Sequence, residues 1–168
     1  MPDQRTKISL FLILVCGVIW LGAVNVRAII GNELLNFGTI EFKSVIDPEL
    51  EREVFRLISL TSIVIAAGYA GTFLGALVFV RTTPLRLKEN GWLMMSAVLF
   101  FLFSPVEFYT LFLDLKMVSL DLFWNASLAE FRVLFMHRLT ALAGVNIIAL
   151  LSYYTIIGLA IWQPMKRA

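Results

Sequence analysis

The chain has 168 residues, of which 60% are hydrophobic and 15% charged, and its mean hydropathy is +0.85. Soluble domains run at about 45–50% apolar and about 25% charged residues, so an ordinary soluble fold is excluded. A net charge of +2 marks out no nucleic-acid partner, and the single cysteine, Cys16, excludes an internal disulfide and any Cys-based zinc or iron–sulfur centre.

A hydrocarbon layer about 30 Å thick is crossed by about 20 apolar residues in a helix. Residues 8–26 form the first such run, uncharged and closed by Arg27. Arg5 and Lys7 precede it, as basic residues precede the core of a signal peptide. The run outlasts a signal core of about 7–15 residues, and Val26-Arg27-Ala28 puts a charge where cleavage wants small side chains. This helix is therefore expected to stay. Residues 39–43 then alternate polar and apolar, which fits a short strand or a segment lying on the bilayer.

Residues 57–80 make the second span. Asp47-Pro48-Glu49 is a helix start, with a capping acid, a proline at the first helical position and acids facing the positive helix end. The helix is expected to run from there without a break, protruding from the membrane. Its small residues include Gly68, Gly71 and Gly75, the last two in a GxxxG pattern that permits close backbone approach. The approaching helix belongs either to this bundle or to a protein partner or second copy.

The third span, 91–113, contains one acid, Glu107, and the pair Ser104-Pro105, where a kink is expected. Residues 118–124 read as interfacial. Asn125-Ala126-Ser127 matches a glycosylation sequon, but Ser127-Leu128-Ala129-Glu130 is better explained as a capping box. That cap opens a fourth helix, also protruding, which should continue through the span 139–162. The fold class is an all-α, four-span bundle forming a single domain, with the second and fourth helices extended beyond one face.

Lys and Arg in short loops set the orientation. The N-terminus, the 81–90 loop and the C-terminal tail hold seven basic residues (Arg5, Lys7, Arg81, Arg86, Lys88, Lys166 and Arg167) against Asp3 and Glu89. Acids outnumber bases on the other side. Both termini are therefore expected in the cytoplasm, with the chain in a bacterial inner membrane.

Glu107 stands roughly 24 Å above the start of its span, where an unpaired charge costs a few kcal/mol. Arg27, Arg56, His137 and Arg138 end their spans at a similar height. They form a candidate cluster with Glu107, either as an ion pair holding the helices in register or as a ligand or proton site. No Ser-His-Asp set, zinc-type cluster or phosphate loop occurs, so no catalytic residues are assigned. His137, the only histidine, is the one candidate haem ligand; a metal site normally draws on several.

Val18-Ile19-Trp20-Leu21-Gly22, Met136-His137-Arg138-Leu139 and Asn146 resemble positions in the copper-resistance-D-like four-helix membrane proteins. The resemblance implies the same four-span fold. Family members that handle copper or haem carry further helix histidines, and this chain has none besides His137. The leading functional expectation is a non-catalytic membrane subunit or assembly factor. The alternatives are a small haem-, metal- or quinone-binding redox protein and an oligomeric transporter.

Overall fold

A computed structural model describes residues 4–123 and 126–165. The charges at Asp3, Lys166 and Arg167, the interfacial Trp124 and the sequon at Asn125 lie outside the described residues. Five helices follow in order: α1 (Gln4–Asn32), α2 (Pro48–Thr82), α3 (Gly91–Phe123), α4 (Leu128–Thr140) and α5 (Val145–Trp162). Four of them, α1, α2, α3 and α5, are long and apolar enough to cross a membrane.

Burial in α1 is inverted relative to a helix facing water. Thr6, Ser9, Trp20, Arg27 and Gly31 are buried, while Ile8, Phe11, Leu14, Val18 and Ile19 point outward. Small and polar residues face other helices and large aliphatic ones face out, as expected where lipid is the solvent. Gln4, the loop after Thr82 and Met165 share one end of the bundle, hereafter the terminal end. The Thr6 hydroxyl donates to the Thr82 carbonyl at 2.9 Å, and the Gly91 amide to Met165 at 3.4 Å.

α2 is one unbroken helix. The Asp47 carboxylate accepts from the Glu49 amide at 3.1 Å, and Pro48 occupies the first turn. α1 packs antiparallel along α2 on the glycine face. A Cβ at Gly68 would lie 3.0 Å from the backbone of Trp20, one at Gly75 3.2 Å from the Ile13 nitrogen, and one at Gly71 would meet the Cys16 sulfur. The close approach that Gly68, Gly71 and Gly75 permit is taken up by α1. A partner or second copy would have to use another face.

Three expectations change. The third helix does not stop near 113; it passes through Pro105 and continues to Phe123, because Met117 and Val118 find a core to enter. Residues 39–43 form neither a strand nor a helix: Leu35 and Phe42 make an isolated antiparallel bridge around a turn with Gly38 at φ +74°. The fourth helix is interrupted. α4 starts on the Ser127–Glu130 capping box but ends at Thr140, and α5 begins only at Val145. Ala143 at φ +44° and Gly144 at φ +88° turn the chain left-handed between them, which ends an α-helix.

At the end opposite the termini, the capped end, α1, α2, α3 and α4 converge on a core of Leu34, Leu35, Phe55, Ile58, Met117, Ala126, Phe131 and Phe135. Phe55 and Phe131 stack at 5.2 Å. Lower down, α3 packs along α5 and α2 against α3, but α1 and α5 stay apart. A second core joins these helices around Trp20, Tyr69, Phe100 and Tyr153.

Candidate functional site: a cleft between α1 and α5

The gap between α1 and α5 holds two cavities, one above the other. The one nearer the terminal end has a volume of about 530 Å³ and apolar walls, including Ile13, Val18, Ala97, Phe101, Ile157 and Ala160. The other, nearer the capped end, has about 250 Å³ and is lined by Arg27, Glu107, Thr110, Asp114, Arg138 and Asn146, among others. Trp20 borders both, fixed between Tyr69 and Tyr153 with ring centroids 4.9 and 4.7 Å away. Near that boundary a polar bridge crosses the gap: the Asn25 amide donates to the Tyr154 hydroxyl at 2.5 Å.

The charged group at the centre of the upper cavity is Asp114, only 1% exposed. One of its oxygens, Oδ2, takes Nη1 of Arg27, which also donates to Ser62 at 3.3 Å; Oδ1 takes Nε of Arg138 at 3.1 Å. Two guanidiniums from α1 and α4 thus share one carboxylate from α3. Glu107 lies two turns, about 10 Å, deeper on the same helix. It lines the cavity but makes no ion pair among the described residues.

The structure brings three of the five expected cluster residues together and leaves two outside. Arg27, Arg138 and Glu107 share the upper cavity. Arg56 is on the surface, 3.6 Å from Glu53 one turn away on its own helix. His137 lines neither cavity; it is exposed, with Nε2 3.3 Å from the Tyr109 hydroxyl. Among the described residues no group of three His, Cys, Asp or Glu side chains could hold a metal. The arginines pair with Asp114 rather than with Glu107, a residue that sequence reasoning missed. A third span ending at 113 placed Asp114 just outside the membrane. The signal was present: 107 and 114 are seven apart and fall on one helix face.

Above the cavity the capped end carries its own ion pair. Glu51, 1% exposed, accepts from Nε and Nη2 of Arg132 at 2.5 and 2.7 Å. At the start of α4 the Ser127 amide donates to Glu130 at 2.8 Å and holds that carboxyl below its usual range.

Compared with family models, curated proteins and solved structures, the chain matches none, so nothing there bears on the copper-resistance-D-like resemblance.

Proposed function

We propose that this is a non-catalytic integral membrane protein that holds one amphipathic molecule of the bilayer in the cleft between α1 and α5. The observation that carries the reading is that an apolar and a charged cavity lie one above the other between α1 and α5, with Trp20 as a shared wall. The apolar half, about 530 Å³ in volume, suits a hydrocarbon tail. Cavities of roughly 300–1,000 Å³ are the usual size for small ligands. The backbones of α1 and α5 stay apart, with the Asn25–Tyr154 bridge across the gap, so entry is lateral, past that bridge. Arg5, Lys7, Arg81, Arg86 and Lys88 at the terminal end support a cytoplasmic location for that end, in a bacterial inner membrane. The charged cavity then belongs to the outer leaflet.

The test is organic extraction and mass spectrometry of the purified protein. One amphipathic species per chain is expected, and Ala97→Trp, which fills the apolar half, should release it while the helical content stays unchanged. Extracts holding only the bulk lipid mixture in variable amounts would sink the proposal.

A second reading, an accessory subunit of a larger complex, is favoured by the connection between α1 and α2. Phe37, Ile40 and Val45 stand exposed there at the capped end. A partner seated on them should be lost from native gels when Phe37 and Val45 become serine; an unchanged complex mass would rule that surface out.

A further inference from the structure

We infer that the head of the bound molecule is anionic and rich in acceptor oxygens, that Arg27 and Arg138 hold it, and that Glu107 takes up one proton as it binds. The inference rests on the proposed cleft function and deepens it.

Hydrogen-bond accounting is the first argument. Each guanidinium carries five N–H donors. Asp114 and Ser62 engage Nη1 of Arg27, and Asp114 engages Nε of Arg138. The remaining N–H groups of both arginines meet no acceptor among the described residues, although the two side chains line the cavity. The site therefore has more donors than acceptors, which selects a head such as a carboxylate or phosphate.

Charge is the second argument. Two guanidiniums sharing one carboxylate leave a unit positive charge, and ionised Glu107 cancels it. The charged and titratable groups near enough to act on Glu107 are Arg27 from α1, Tyr69 from α2, Asp114 from its own helix, Arg138 from α4 and Tyr153 from α5. The tyrosines are neutral, so no further charge enters the count. An anion added to this set leaves an uncompensated negative charge in a poorly hydrated cavity. A proton from solvent, bound on a Glu107 carboxyl oxygen, removes it.

Position is the third. Glu107 lies two helical turns nearer the apolar cavity than the Asp114 that the arginines hold, so a head on the arginines with its tail directed at that cavity runs beside the Glu107 carboxyl. Ionised, that carboxylate repels the head; protonated, it offers an O–H donor.

The experiment titrates the purified full chain in maltoside micelles with hexadecanesulfonate, whose head stays charged from pH 5.5 to 8.5, and with hexadecanol as the neutral control. One proton per anion weakens sulfonate binding by up to about tenfold per pH unit on the alkaline side of the Glu107 titration. Hexadecanol should show no such slope. Glu107→Gln should bind the sulfonate with equal affinity at both ends of the range. Calorimetry in buffers of different ionisation enthalpy should report uptake of one proton by the wild type and none by the variant. Hexadecyl phosphate against palmitate then tells a phosphate head from a carboxylate. A pH slope that is absent from the wild type or persists in Glu107→Gln overturns the inference. Tight hexadecanol binding without sulfonate binding overturns it too but leaves the cleft function standing. Failure of all four probes removes both.

Discussion

At the capped end Phe55 stacks on Phe131, Phe42 and Phe135 lie 6.0 Å apart, and Arg132 grips Glu51 through two hydrogen bonds. Halfway down the same bundle the backbones of α1 and α5 stay apart, linked by the Trp20–Tyr153 ring contact and the Asn25–Tyr154 hydrogen bond. Water explains the difference. Where helices leave the bilayer, burying a phenylalanine contributes about 1.5–3 kcal/mol, so side chains close on one another. Between lipid chains that gain vanishes, and helices associate through close backbone approach and polar contacts. α1 accordingly holds to α2 through glycines and to α3 through Arg27 and Asp114, and it meets α5 through side chains, Trp20 on Tyr153 and Asn25 on Tyr154, without close backbone approach.

Several substitutions can break or sharpen this contrast. The largest effect is expected from Asp114→Asn, which leaves two guanidiniums without their shared carboxylate. A loss of about 3–5 kcal/mol is typical of breaking a buried ion pair. Unfolding monitored in one detergent should show it, and a loss no larger than that of Glu107→Gln would mean that Asp114 is not the organising charge. Glu51→Gln should cost about 1.5–3 kcal/mol, the worth of hydrogen bonds to a charged group. That loss should appear as faster amide exchange in α4 and the start of α2, with the span region unaffected. Equal exchange in both regions would deny that they are distinct.

Gly68→Ala tests the close approach of α1 and α2. Its Cβ meets the Trp20 backbone at 3.0 Å, so one helix must move, at about 1–3 kcal/mol. A neutral change in melting temperature would contradict the packing. Tyr154→Phe removes the bridge to Asn25 and should cost only about 0.6 kcal/mol, typical of a polar pair between membrane helices. Exchange of the proposed amphipath should speed up, and an unchanged exchange rate would place its entry elsewhere. The smallest effect belongs to Glu130. Its folded-state pKa is lowered by the Ser127 amide, so its stabilising share is complete above the ordinary glutamate range. That share fades as pH falls through the lowered value. Amide protection in the first turn of α4 should follow this course, and protection that rises on acidification would reverse the sign.

The sequence by itself determined the four apolar runs, the cap at Asp47, the capping box at Ser127 and Glu130, and the glycine face of α2, since each is a local pattern. Counting the rise along each helix also grouped Arg27, Arg138 and Glu107, which share one cavity, but with them Arg56 and His137, which do not line it. Only the tertiary structure decided which acid the arginines use. Partner choice depends on how each helix is rotated, and Asp114, rather than Glu107, faces Arg27. The stop at Ala143-Gly144 was equally hidden, since a lone glycine is ordinarily tolerated inside a membrane helix. The cleft between α1 and α5 was the least legible of all. A leucine facing lipid and a leucine facing another helix are equally apolar, so no pattern along the chain records which neighbour is missing.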